Sequence, residues 1–225
     1  MMGAVDGGVS TLMFLGSSCI YPRAARQPMR EEDLMTGPLE PTNESYAIAK
    51  LTGIQLARSL EAERGVRVLL PLPCNVYGPG DHFDPLTSHV LSALVARFEN
   101  ARRSGDESVT VWGSGKARRE FIHCDDLAEA CLFLLRSEKI DGVINVGTGT
   151  DVTIADLAYQ IANEVGYEGS IEWDKSKPDG MPRKVLDVSR LQGLGWSAPT
   201  KLIDGIPSVV RDFRSRFPQL DNTTL

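Results

Sequence analysis

Apolar and polar positions follow two rhythms along this chain. Thr11 to Leu15 is a continuous apolar run that stops at Gly16, Ser17 and Ser18, as a strand buried on both faces of a parallel sheet does. A loop rich in Pro and Gly follows through Pro41. Ser45 to Arg64 then predicts a helix, capped by Asn43 or Ser45 and stopped at Gly65. Val66 to Leu72 predicts a second apolar strand, closed by Pro73 and the turn-forming Tyr77-Gly-Pro-Gly80. Downstream, the pattern predicts helices from Thr87 to Arg103, Asp125 to Ser137, Ile154 to Val165 and Lys201 to Phe217. Strands are predicted from Ser108 to Trp112, Glu120 to His123, Val143 to Val146 and Ser170 to Trp173.

Strands that alternate with helices make the class α/β. Only about two of the strands have the fully apolar character of a doubly wound core. The expected architecture is therefore a remnant of a doubly wound parallel (Rossmann-type) sheet over residues 1–80, with a smaller α/β substrate-binding domain over 81–225. Some later segments are expected to return to the first domain. With 225 residues, 42% of them hydrophobic, the chain has material for one large or two small domains. A net charge of -6 argues against nucleic acid as a partner, which needs a dominant basic surface. Cys19, Cys74, Cys124 and Cys131 contain no C-x-x-C pair, so neither a metal centre nor a disulfide framework is expected. The apolar run from Val9 to Leu15 is too short to span a bilayer, and no basic residue precedes it. The reading is a soluble, cytoplasmic protein with no membrane partner.

Candidate chemistry begins with Tyr46 and Lys50, four apart and so on one face of the predicted helix. An ammonium beside a phenol favours the phenolate, which suits acid-base work at neutral pH. A lone Y-x-x-x-K pair is a weak signal. Its context is stronger: Ser17 stands at the carboxyl end of a buried strand, where open α/β sheets take their ligands, and Gly53 and Ala57 on the same helical face permit close packing. If the backbone stays extended, Cys19 points to the same side as Ser17. His89 is a neutral-pH partner for it. By residue type alone the plainer readings prevail, a small buried cysteine and a capping or core histidine. His82 and His123 are read as structural. Arg97 and the segment Trp112 to Arg119 join a flat aromatic to cationic heads, suited to a nucleotide, or else form a solvated basic loop. Val143 to Gly149 imitates a dinucleotide-binding loop, but Val152 stands at its third glycine, and it reads as a strand-to-helix turn of the substrate region.

Taken together, Phe14 to Pro22, Leu39 to Asn43, Ser45 to Lys50, Cys74 to Pro79, Ser88 to Val90, Val111 to Gly115, Arg118 to Phe121 and Ser176 to Gly180 resemble the extended short-chain dehydrogenases that act on nucleotide sugars. Within them the resemblance is to the GDP-keto-sugar 3,5-epimerase-4-reductases, and it runs from Met13 to Phe217. It implies conversion of GDP-4-keto-6-deoxy-D-mannose to GDP-L-fucose with NADPH: epimerisation at C3 and C5, then reduction at C4. By the same resemblance Cys19 and His89 are the epimerising base and acid, and Ser17, Tyr46 and Lys50 the reductive triad. The NADPH/NADP contacts implied are Leu15, Gly16, Ser17, Ser18, Lys50, Pro73, Cys74, Asn75, Val76 and His89. Arg97, Trp112, Arg119 and Asp179 are implied to hold the GDP-sugar, with Lys184 a weaker candidate, and a homodimer through paired helices is implied as well.

Members of that family begin with β-α units bearing a glycine-rich turn that seats the cofactor's pyrophosphate. No G-x-G-x-x-G run occurs here. The expectation is thus an incomplete NADPH site, and the alternative is a truncated, catalytically incompetent sugar-nucleotide binding or interaction module. An uncovered apolar edge at Thr11 to Leu15 would then invite association.

Overall fold

The computed structural model describes residues 1–84, 87–138, 140 and 142–218. In chain order its elements are α1 (Met2–Asp6), β1 (Thr11–Met13), α2 (Glu44–Arg64), β2 (Arg67–Pro73), β3 (Asn75–Tyr77), α3 (Val90–Ser104), β4 (Ser108–Trp112), β5 (Arg118–Arg119) and β6 (Phe121–His123). They continue with α4 (Cys124–Arg136), β7 (Val143–Val146), β8 (Val152–Thr153), α5 (Ile154–Val165), β9 (Ser170–Asp174), β10 (Arg183–Lys184), α6 (Ser189–Gly193) and α7 (Leu202–Arg216). The chain divides into two compact units. The first takes Met1–Val76, Glu120–Thr150 and Lys184–Pro199, the second Tyr77–Arg119, Asp151–Arg183 and Thr200–Leu225.

The first unit is built on a parallel sheet of order β1-β2-β7, the α/β, Rossmann-type arrangement expected from the sequence. Met13 pairs with Leu69, and Leu70 to Pro73 pair with Val143 to Val146. Val68, Leu69, Leu70 and Leu72 are buried, as is Ile144 of β7. β7 is the strand that the sequence assigned to a substrate region. Polar Asn145 breaks its apolar run and disguises it. Asn145 is fully buried, and three side-chain hydrogen bonds accommodate it: it accepts from the Tyr21 hydroxyl at 2.5 Å and donates to the Met29 and Asp187 carbonyls, each at 3.0 Å.

Helix α2 follows its sequence closely. Gly65 ends it in the left-handed region at φ 65°, a conformation that costs glycine nothing. Ala47, Ile54, Ala57 and Leu60 form its buried face. Gly53 is small for a reason, since a Cβ there would overlap the Phe14 ring.

In the second unit β4 and β9 pair in parallel from Ser108 opposite Ser170 to Trp112 opposite Asp174, and α3, α5 and α7 pack on one another. Thr153 caps α5 by accepting the Asp156 N–H at 2.9 Å. Phe98, Leu157, Ile161, Val209 and Val210 fill the helical core. Within it Glu99 is wholly buried and paired with Arg102, Arg103 and Arg214, which supplies the cationic partners a buried carboxylate requires. No helix among the described residues is long and apolar enough to cross a membrane.

Candidate active site

The segment after β1 does not stay extended. β1 ends at Met13, and residues Ser18–Ile20 form a single 3-10 turn capped by Ser17, whose Oγ accepts the Cys19 N–H at 3.1 Å. Ser17 and Cys19 therefore meet because the backbone folds back on itself, which corrects the expectation of an extended run. Helix α2 closes on this turn from one side. The Lys50 ammonium donates to the Leu15 carbonyl at 2.8 Å and lies 5.7 Å from the centre of the Tyr46 ring. Tyr46 is 48% exposed, so its phenol is open to a ligand. Asn43, the N-cap of α2, hydrogen-bonds the Cys19 thiol through its side chain, while its Oδ1 is buried with no hydrogen-bond partner. Ser17, Cys19, Tyr46 and Lys50 are thus brought together within the first unit.

The cofactor candidates Leu15 to Ser18 and Pro73 to Val76 lie at the carboxyl ends of β1 and β2, neighbours in the sheet. That is the end at which open α/β sheets bind ligands. Gly16 N donates to the Pro71 carbonyl at 2.8 Å, Cys74 N to Val146 at 3.0 Å, and the Asn75 side chain to the Glu120 carbonyl at 2.7 Å. Leu15 is 41% exposed, leaving an apolar side chain at that end.

The remaining candidates belong to the second unit. His89 is the exposed N-cap of α3 and makes no side-chain cap bond. Arg97 donates to the Thr110 carbonyl of β4 at 2.6 Å. Trp112 closes β4, 59% exposed, with the Lys177 ammonium 5.7 Å from its ring centre. Asp179 accepts the Ser114 N–H at 2.5 Å and its hydroxyl at 2.7 Å. These hydrogen bonds hold the Asp179 carboxyl below the usual range. Arg119 donates to the Arg118 and Met181 carbonyls at 2.8 and 2.6 Å. Trp112, Arg119 and Asp179 are therefore gathered around one loop, and Arg97 braces the strand that leads to it. Of the two other histidines, His82 Nε2 bonds Thr87 Oγ1 at 2.9 Å, and His123 caps α4 by accepting the Asp125 N–H.

Two groups carry more than their sequence context suggested. Lys184, expected near the sugar nucleotide, donates from Nζ to Cys19 Sγ at 3.0 Å. Burial pushes the Cys19 thiol up, but the Lys184 charge and hydrogen bonds from Lys184, Ser17 and Asn43 outweigh it, and the net shift is downward. Glu120 is 1% exposed. Its Oε1 accepts the Gly149 N–H at 2.7 Å and its Oε2 the Leu186 N–H at 2.8 Å. Burial outweighs these bonds and raises its pKa to about 7. A Cβ on Gly147 would overlap this carboxylate, so the glycine run that imitates a phosphate loop cradles an internal carboxylate instead. No local pattern announces either contact, because their partners lie 165 and 66 residues away.

The chain is similar to known proteins in sequence and in fold. The profile of the NAD dependent epimerase/dehydratase family matches residues 2–147. GDP-L-fucose synthase 1 of Arabidopsis thaliana is 49% identical over 205 residues, covering 90% of this chain and 63% of that protein. GDP-L-fucose synthase of Escherichia coli (strain K12) is 48% identical over 219 residues, covering 93% and 68%. Among solved structures, a GDP-L-fucose synthetase from Naegleria fowleri bound to NADP superposes with a TM-score of 0.90 at 26% identity, covering 96% of this chain and 70% of that one. The chain spans 61 to 63% of the length of the first three curated relatives it matches.

Proposed function

Because the chain belongs to the NAD dependent epimerase/dehydratase family, we propose that it carries the proton chemistry of a GDP-L-fucose synthase: epimerisation of GDP-4-keto-6-deoxy-D-mannose at C3 and C5, then reduction of the C4 ketone. The carrying observation is the closure of α2 on the Ser17–Cys19 turn through the Lys50 bond to Leu15, which supports grouping a thiol, a hydroxyl, a phenol and an ammonium around one carbonyl.

Protons beside a ketone are removable only when the developing enolate is stabilised, and the hydroxyls of Ser17 and Tyr46 are the donors for that oxygen. Cys19 takes the proton from one face and His89 returns one to the other. In the reductive stage Tyr46 gives the ketone oxygen its proton, with the Lys50 ammonium 5.7 Å from its ring centre. NADPH, when bound, supplies the hydride for C4. An exposed apolar side chain at Leu15 and an ammonium beside it fit a flat ring and sugar hydroxyls. Leu15 to Ser18, Lys50, Pro73 to Val76 and His89 are proposed to hold the nicotinamide end. Trp112, with Arg97, Arg119 and Asp179, is proposed for the GDP-sugar, its exposed ring offering a stacking face for the base. A homodimer and a cytoplasmic location belong to the same reading.

The test is solvent exchange. Incubating the 225-residue protein with GDP-4-keto-6-deoxy-D-mannose in D2O should place deuterium at C3 and C5 without added NADPH, and Cys19→Ser should abolish it. Adding NADPH should then yield GDP-L-fucose, with Tyr46→Phe slowing that step by about 10²–10⁴-fold. Absence of exchange in a folded sample that binds the substrate would refute the proposal.

A further inference from the structure

We propose that Lys184 is the positioning residue that holds Cys19 in its thiolate form, an assignment that rests on the reading of Cys19 as the epimerising base. The argument begins with what surrounds the thiol. Cys19 is half-buried, and burial by itself favours the neutral thiol. The other three cysteines behave that way: burial raises Cys74, Cys124 and Cys131 above the ordinary thiol value. Cys19 alone of the four moves down, and it alone has an ammonium in contact, Lys184 Nζ at 3.0 Å.

Lys184 is aimed at the thiol by its own backbone. The residues that follow it are anchored: Val185 N donates to Gln27 Oε1 at 2.9 Å, Met29 N to the Val185 carbonyl at 2.9 Å, and Leu186 N to Glu120 Oε2 at 2.8 Å. Val185 and Leu186 are buried. A fixed stem limits where the four-carbon side chain reaches, so the ion pair costs less side-chain entropy than a surface pair does.

The groups facing the pair come from several elements. Ser17, from the same turn as Cys19, and Asn43, from the cap of α2, hydrogen-bond the thiol and do not titrate near neutral pH. The Lys184 charge also acts on Cys74, as does the charge of Glu120. The Glu120 carboxylate, with a pKa of about 7, changes charge in the working range, as does the imidazole type of side chain that His89, proposed opposite Cys19, carries. An opposite charge in contact lowers a pKa by roughly 1–3 units. Without Lys184, burial would favour the neutral thiol of Cys19, the form that does not accept a carbon-bound proton. Lys184 does not itself receive that proton, and once Cys19 has taken it the pair becomes a thiol beside an ammonium.

The experiment is peptide-resolved alkylation of the whole 225-residue protein with iodoacetamide between about pH 5.5 and 9.5, in wild type, Lys184→Met and Lys184→Arg. Cys124 and Cys131 in the same samples serve as internal references for folding and reagent. In wild type, Cys19 should reach half-maximal rate at a lower pH than either reference. Lys184→Met should raise that midpoint by about one unit or more, a roughly tenfold loss of thiolate at pH 7, and Lys184→Arg should recover most of it. An unchanged Cys19 midpoint in Lys184→Met, with both references unchanged, overturns the proposal, as does a variant that raises KM alone. Should Lys184→Met not fold, Lys184→Gln provides the same comparison. The alkylation profile needs no turnover. Failed deuterium exchange with an intact Cys19–Lys184 profile would therefore refute the proposed reaction alone, and the converse would refute this assignment alone.

Discussion

Replacing Glu120 by Gln isolates the energetics of one buried carboxylate. In the folded protein its pKa stands at about 7 against an ordinary 4.5, because burial outweighs the two backbone N–H bonds from Gly149 and Leu186. Between those values the folded state binds the proton more tightly than the unfolded chain does. Stability must therefore fall as pH rises through that window, by about 3 kcal/mol at 1.36 kcal/mol per unit. Gln cannot titrate, so Glu120→Gln should remove this slope. At any single pH the variant also loses an acceptor, since its one carbonyl oxygen serves two donors, a cost of about 1–3 kcal/mol. The pH dependence, and not the stability at one pH, is therefore the quantity to compare. Trp196 packs against the core of the first unit, and a Trp112→Phe, Trp173→Phe background leaves it as the sole tryptophan of three. Urea midpoints followed by its fluorescence at pH 5, 6, 7 and 8 should fall further with rising pH in the Glu120 protein than in the Gln variant. The excess should amount to about 1–2 M over that range. Parallel curves would refute the reasoning and would mean that Glu120 is ionised throughout.

Three further outcomes follow from the same structure. Asp151, 6% exposed in its side chain, accepts from Arg118 at 2.9 Å and from Arg183. Burial alone would raise its pKa, but hydrogen bonds and charge from the two arginines hold it below 3.8. Asp151→Asn should then cost about 1–3 kcal/mol at pH 7, discounted for the half-exposed arginines, and the difference should vanish as pH falls through the depressed value. A constant difference in chemical denaturation down to pH 2 would contradict this. Gly115 has φ 75°, and a Cβ there would lie 2.8 Å from the Trp173 ring and 3.1 Å from the Ala155 Cβ. Gly115→Ala should lower the melting temperature by several degrees, corresponding to about 2 kcal/mol, and an unchanged melt would show that the turn relaxes. Trp112→Ala should weaken GDP binding by about tenfold in calorimetry while leaving the melting temperature within about 1 °C. An unchanged affinity would remove Trp112 from the proposed site.

What the sequence by itself determined is what local forces decide. Apolar runs marked β1 and β2, 3.6-residue periodicity and Gly65 bounded α2, and four-residue spacing put Tyr46 and Lys50 on one helical face before any tertiary contact was known. Its motifs, read together, also pointed to the family. Other features were decided only by the tertiary structure. β7 joined the parallel sheet although Asn145 interrupts its pattern, because Tyr21, Met29 and Asp187 satisfy that side chain from distant loops. The 3-10 turn, and not an extended strand, set Ser17 against Cys19. Lys184 met the Cys19 thiol and Glu120 met the Gly149 amide across gaps of 165 and 29 residues. Periodicity and spacing report neighbours within a turn or two of chain. The charge on a thiol or a buried carboxylate depends on whatever the fold brings within a few ångströms, and only the packed chain specifies that.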